Sequence, residues 1–237
     1  MFAGPNGSGK TSLYERLITE NHFTHTYYIN ADRIQSELNG GGTISFPFDS
    51  TESFFQALNA GAFVKEELLT PAETASLTGS LRDGLRLKPG ARCESYLAAG
   101  IADALRSLFL NENQSFAFET VMSHESKLEL LRHAKSLGYR NYLYYVSTGD
   151  PEINLRRVEQ RVKGGGHDVP ADLVRARFYR SMKLVPEAIQ LCDRAYLLDN
   201  SGETIKLVAW TDGNNLHLAS PRIPGWVQDL LPNWDSA

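Results

Sequence analysis

The chain has 237 residues, 42% hydrophobic and 22% charged, which is the make-up of an ordinary globular protein and excludes fibrous and low-complexity classes. A formal net charge of −4 argues against a protein whose main business is a phosphate backbone. No apolar run approaches the roughly 18–20 residues of a membrane span, and nothing at Met1 resembles a signal peptide. Cys93 and Cys192 fit neither a metal-ligand spacing nor a disulfide framework, so a reducing, cytoplasmic setting is the default expectation. A chain of this length buries roughly 70–75% of its unfolded surface without staples, and a single domain over 1–237 is expected.

Phe2-Ala3 reads as the end of a strand. Only three residues precede Gly4, against about five or six in a central strand, so either the strand is unusually short or the chain start falls inside it. Gly4-Pro5-Asn6-Gly7-Ser8-Gly9-Lys10-Thr11 fits G-x-x-x-x-G-K-[ST], and Ser12 to Ile18 has the apolar spacing of an amphipathic helix. Strand, glycine loop, helix is the order that phosphate binding requires. The glycines let backbone N–H groups close around phosphate oxygens, and the helix N-terminus adds a favourable dipole. Lys10 is expected to reach β- and γ-phosphates and the Thr11 hydroxyl to hold Mg²⁺. The bland alternative is a glycine-rich turn with a stray lysine.

Tyr27 to Ile29 is a short strand signal, followed by Asn30-Ala31-Asp32 and a helix start at Arg33. Residues from about 40 to 92 read as a mostly helical insertion, with one helix from Thr51 to Leu69 and a second pattern from Pro71 to about Pro89. Further helices are expected over Glu94 to Asn111, His124 to Leu137, Pro151 to Val162 and Pro170 to Leu191. Strands are expected at Ser115 to Phe118, Tyr142 to Val146 and Arg194 to Leu198. A small extension from about 203 to 237 holds a candidate β-hairpin, Ile205 to Trp210 and Leu216 to Ala219. Strands alternating with helices behind such a glycine loop predict an α/β fold of the P-loop NTPase class, a parallel sheet with helices on both faces. Ligands bind such sheets beyond the carboxyl ends of the strands, where Asp32, Glu119, Thr120, Asp199 and Asn200 fall.

Phosphoryl transfer to a hydroxyl needs a phosphate cradle, a metal, positive charge on the moving group and often a carboxylate to take the proton. Asp32 is the candidate base, with a helix N-cap as its structural alternative. Glu119 could bind substrate or Mg²⁺, or pair with an arginine. Arg157 and Arg161 lie four apart and share a helix face. A glycine-hinged loop at Gly164-Gly165-Gly166 could bring Arg161 to the γ-phosphate. His167 could contact phosphate or cap the helix that starts at Pro170. Arg156, Arg175 and Arg180 read as a solvated basic face, and the remaining histidines as surface or packing residues.

Together, the loop at Gly4 to Thr11, Ile29-Asn30-Ala31-Asp32, Phe116-Ala117-Phe118-Glu119-Thr120, Asp150-Pro151-Glu152, Arg157-Val158, Arg161-Val162, Gly165 to Pro170 and Asp199-Asn200-Ser201 resemble the zeta-toxin family of P-loop kinases. The resemblance implies an ATP- and Mg²⁺-dependent kinase whose characterised members phosphorylate the 3′-hydroxyl of the amino sugar in UDP-N-acetylglucosamine. It implies a catalytic set of Asp32 as base, Lys10 on the phosphates and Arg161 on the γ-phosphate. ATP would be held by Gly4, Asn6, Gly7, Ser8, Gly9, Lys10, Thr11 and Ser12, with Arg157, His167 and Asn200. Asp32, Glu119 and Thr120 would face the nucleotide sugar. An antitoxin is the implied protein partner, no membrane is expected, and nucleic acid is disfavoured by the lack of aromatic-basic interleaving.

The sequence departs from the family on the acceptor side. Roughly fifty residues stand where relatives have a short connection, and Ile101 follows Ala99-Gly100 where relatives often have arginine; on the phosphate side, His167 stands where distant members carry an arginine. A kinase of another metabolite or antibiotic, and a P-loop ATPase or nucleotide-gated interaction module, therefore stay open as alternatives.

Overall fold

The computed structural model describes residues 1–22, 27–164, 168–213 and 215–231. In chain order, β1 (Phe2–Ala3) leads through the glycine loop into α1 (Lys10–Thr19). Next come β2 (Tyr27–Ile29), α2 (Ala31–Asn39), α3 (Thr51–Ala60), α4 (Ala62–Lys65) and α5 (Pro71–Thr74). They are followed by β3 (Leu77–Ser80), β4 (Gly84–Leu87), α6 (Ser95–Asn111), β5 (Phe116–Thr120) and α7 (Ser126–Ser136). The rest is β6 (Tyr142–Ser147), α8 (Pro151–Lys163), α9 (Ala171–Gln190), β7 (Arg194–Asp199), β8 (Lys206–Asp212), β9 (Asn215–Leu218) and α10 (Gly225–Leu230). Among these helices none is long and apolar enough to cross a membrane. The chain divides into two compact units, Met1–His25 with Glu119–Ala237, and Thr26–Phe118.

In the first unit β1 pairs in parallel with the end of β5 on one side and with β6 on the other, and β6 pairs in parallel with β7. The expected terminal hairpin is present: β8 pairs antiparallel to β7, and β9 to β8. Strand alternation sorts the side chains onto two faces. Phe2, Tyr144 and Tyr196 are in register on three adjacent strands. They stack at centroid distances of 5.0 and 4.8 Å, with Tyr14 of α1 edge-on to Phe2. On the opposite face the buried Tyr145 packs against Trp226 of α10 and shares a hydrogen bond with Ser181 of α9. Helices therefore cover both faces of a mostly parallel sheet, as the alternation predicts. Because β1, β5, β6 and β7 are parallel, their carboxyl ends open on one side, which is where the glycine loop begins.

In the second unit β2 runs parallel to the first three residues of β5. The long helix α6 supplies the core. Fully buried Phe109 is ringed by Tyr27, Phe46, Phe48 and Phe116 at 4.7 to 5.7 Å. Arg106, also buried, pairs with Asp103 and lies over the Phe118 ring at 5.2 Å, so its charge is both paired and packed.

Two expectations for residues 40–92 need correction. The helix expected from Thr51 to Leu69 stops at Ala60, because Gly61 takes an extended ψ of 165° before the short α4. The pattern expected to be helical from Pro71 to about Pro89 is one turn, α5, closed by a Thr70–Glu73 capping box, followed by the antiparallel β3–β4 hairpin. The misreading has a physical source. Leu77, Leu81 and Leu85 are spaced by four, which fits one helix face and also, being even, one strand face. Gly79 at φ 100° and Gly84 at φ 114° settle the choice, since neither angle belongs to a right-handed helix.

Candidate functional site

The glycine loop turns between β1 and α1 with Gly4, Gly7 and Gly9 at φ 143°, 72° and 97°. Here glycine answers two demands at once, a left-handed backbone and close approach. A side chain at Gly4 would strike the Val146 carbonyl, one at Gly7 the Asn154 carbonyl, and one at Gly9 the Asn200 amide. Gly9 caps α1, and Leu13 N–H to the Gly9 carbonyl at 3.0 Å is an intrahelical bond of the first turn. The N–H groups ahead of Leu13 have no intrahelical acceptor, as at the start of any helix.

Lys10 is buried at 6% exposure, and its ammonium donates to the Pro5 carbonyl at 2.9 Å. It also lies 3.7 Å from Glu119 Oε1, while Thr11 Oγ1 donates to Glu119 Oε2 at 2.8 Å. Lys10, Thr11 and Glu119 thus form one cluster at the carboxyl ends of β1 and β5. Thr120 beside it stabilises the turn after β5: its hydroxyl accepts from Met122 N–H at 3.0 Å, and its carbonyl from Gly4 N–H at 3.3 Å. Ser12 is exposed in the first turn of α1.

The loop's fit to a triphosphate can be tested on its own atoms. Asn6 Oδ1 and Ser8 Oγ are buried and have no hydrogen-bond partner among the described residues. Each such atom costs about 1–3 kcal/mol if left unpaired, and a ligand or bound water is the usual remedy. Mg²⁺ typically takes one or two protein oxygens alongside substrate phosphates, and the Thr11 hydroxyl with the Glu119 carboxylate supplies two.

Asn200, buried after β7, donates to the Ser8 carbonyl at 2.7 Å. Arg157 on α8 donates to the Gly202 carbonyl at 3.2 Å, and its Nη1 is buried without a partner among the described residues. Arg161 is exposed one turn further along the same helix. His167, with Gly165 and Gly166, lies outside the described residues. Of the arginines read as a basic face, Arg175 makes a two-pronged bond to Glu152 at 2.6 and 3.1 Å. That bond holds the Glu152 carboxyl below its ordinary pKa.

Asp32 belongs to the second unit, exposed in the first turn of α2 after the carboxyl end of β2. The cap of that helix is Asn30, whose side chain accepts from Arg33 N–H at 3.1 Å. The alternative of Asp32 as N-cap is therefore corrected: the expected helix start was two residues late, and the cap lies two residues before Asp32. Sequence reasoning also missed Asn154, fully buried on α8, which donates to the Asn6 carbonyl at 2.7 Å and accepts from Thr148. The available signal was a polar residue one turn before Val158 on the apolar stripe of that helix.

The fold and this site define the class: an α/β chain of the P-loop type, as the zeta-toxin resemblance implies. No protein-family model matches the chain. Over 69 residues, 29% of this chain and 49% of the relative, it is 33% identical to an uncharacterized protein of Haemophilus influenzae. Among solved structures, a chain of the AvrRxo1-ORF1:AvrRxo1-ORF2 complex with sulphate ions is 18% identical at a TM-score of 0.55, covering 99% of this chain and 63% of that one. The AvrRxo1-ORF1:-ORF2 structure with ATP is 15% identical at a TM-score of 0.56, covering 92% and 60%. At these identities the likeness is one of fold. The chain spans about half the length of its curated relative and about three fifths of the AvrRxo1 chain.

Proposed function

We propose that this chain is an ATP- and Mg²⁺-dependent kinase that transfers the γ-phosphoryl group to a hydroxyl of a small molecule, a nucleotide sugar of the UDP-N-acetylglucosamine type. The observation that carries the reading is the cluster of Lys10, Thr11 and Glu119 beside a glycine loop whose own buried polar atoms lack partners. The zeta-toxin resemblance supports it, and so does a fold shared with a protein solved with ATP.

In this reading the loop N–H groups and Lys10 hold the phosphates, and Lys10 leaves the Pro5 carbonyl to do so. Thr11 and Glu119 hold Mg²⁺, which when bound neutralises charge on the phosphate oxygens. Asp32 takes the proton from the acceptor hydroxyl, whose oxygen forms a bond to the γ-phosphorus as the bond to the ADP oxygen breaks. Arg161 meets the charge on the moving group. Arg157 and Asn200 belong to the nucleotide side, and Thr120 faces the acceptor. A single functional domain, a reducing cytoplasmic setting and an antitoxin-like protein partner belong to the same reading. The free cysteines fit the setting, and the AvrRxo1-ORF1:-ORF2 complex fits the partner.

The test is mass spectrometry of the full chain with Mg-ATP and UDP-N-acetylglucosamine, beside Lys10→Ala and Asp32→Asn. The expected product is the sugar nucleotide plus one phosphoryl group, absent in both variants. ADP without a phosphorylated sugar would reject this acceptor, and product formed equally by both variants would reject the assigned roles.

A further inference from the structure

We infer that Asn154 and Asn200 are positioning residues that aim the N–H groups of the glycine loop at the phosphates, an inference that rests on the nucleotide-binding reading above. The Asn154 side-chain amide donates to the Asn6 carbonyl, and the Asn200 amide to the Ser8 carbonyl, each at 2.7 Å. A trans peptide carries its C=O and the following N–H on opposite sides, and no described peptide is cis. Anchoring the Asn6 and Ser8 carbonyls therefore turns the N–H groups of Gly7 and Gly9 away from the two asparagines. Between them, Ser8 spends its N–H inside the loop on the Pro5 carbonyl at 3.2 Å. The loop thus alternates, with carbonyls 6 and 8 tied back and N–H groups 7 and 9 presented on the same side as the N-terminal end of α1. Reversing either peptide would put a carbonyl oxygen where a phosphate needs a donor.

The anchors are themselves fixed. Asn154 is fully buried, with its oxygen taken by the Thr148 hydroxyl, and Asn200 is buried at the end of β7. They come from separate elements, α8 and the exit of β7, so each peptide has its own support. The glycines leave no room for a side chain between loop and anchors: a Cβ at Gly7 would lie 2.6 Å from the Asn154 carbonyl, and one at Gly9 would strike the Asn200 amide. Aspartate at position 200 would keep the shape, lose the donor and set a carboxylate oxygen against the Ser8 carbonyl.

The test uses the full chain and three variants, Asn154→Ala, Asn200→Ala and Asn200→Asp. Each is titrated with Mg-ATP and with inorganic tripolyphosphate, and its thermal midpoint is read without ligand. Affinity should fall about five- to tenfold per lost amide. The factor should be the same for tripolyphosphate as for ATP, because the anchors act on the phosphate cradle, and Asn200→Asp should lose at least as much as Asn200→Ala. Folded variants that bind both ligands as the wild type does would overturn the inference, even with a lowered midpoint. Should the buried Asn154→Ala not fold, amide NMR of the wild type decides. The Gly7 and Gly9 N–H resonances should move downfield on adding tripolyphosphate, and resonances that stay in place overturn the inference. A wild type that binds neither ligand overturns the nucleotide reading itself, an outcome visible before any variant is made.

Discussion

Two glycine-punctuated segments, one in each unit, use the same backbone freedom for opposite ends. In the β3–β4 hairpin, Gly79 lies opposite Leu85 and Gly84 opposite Ser80, both glycines at positive φ, and a side chain at Gly84 would come 2.8 Å from Thr43 Cβ. There the close approach serves packing. The surrounding polar groups are satisfied locally, with Ser80 bonded to Asp83 and Leu81 N–H to Thr51. In the loop from Gly4 to Thr11 the approach is as close, but Asn6 Oδ1 and Ser8 Oγ stay buried without partners and a lysine is drawn inside. Glycine alone marks a tight backbone; glycine beside unpaired polar groups and a buried cation marks a place prepared for an anion.

Substitutions sharpen that contrast. The largest expected effect is on chemistry: Lys10→Ala should lower phosphoryl transfer by about 10²–10³-fold while the chain stays folded, because it removes one preorganised charge from the phosphates. ADP release measures it, and near-normal turnover would make the loop no different from the hairpin. In the second unit, Phe109→Ala should cost about 3–5 kcal/mol in chemical denaturation, the usual penalty for emptying a buried aromatic site. A cost within the range of a surface change would mean that the ring of aromatics does not hold that unit together.

Gly84→Ala and Gly9→Ala impose a comparable backbone penalty, about 1–2 kcal/mol from a left-handed residue before any clash. The first should speed hydrogen exchange in the hairpin and leave Mg-ATP affinity unchanged; the second should lose affinity as well. Equal losses of affinity would erase the distinction. The smallest effect belongs to Arg175→Ala. Arg175 holds the folded-state pKa of Glu152 below its unfolded value, so the pair stabilises the fold above the carboxylate range, and the benefit fades as pH falls through the lowered pKa. Thermal midpoints of wild type and variant should therefore differ slightly at neutral pH and converge in acid. A gap that widens in acid would contradict that sign.

How much of this was legible depends on where the partners lie in the chain. Outside residues 40–92, the loop, the alternating strands and helices and the terminal hairpin are written in local spacing, and the structure places them within a residue or two of expectation. Glu119 is legible as a polar site candidate after a strand, with its partner left open. Its place against Lys10 and Thr11 follows from β5 pairing with β1, which no local pattern carries. The role of Asn154 has no local signature, because its partner, Asn6, is 148 residues away. The β3–β4 hairpin was misread because leucines four apart satisfy both periods, and only the glycine dihedrals separate them. Asn30 and Asp32 both suit a helix N-cap by residue type, and only the extended backbone at Asn30 decides between them.

The central claim, that the loop at Gly4 to Thr11 binds a nucleoside triphosphate through Lys10, is tested most directly by calorimetric titration of Mg-ATP into the full chain and into Lys10→Ala. The account predicts one saturable site in the wild type and its loss in the variant. Binding that survives Lys10→Ala unchanged, or no binding by the wild type, would contradict it.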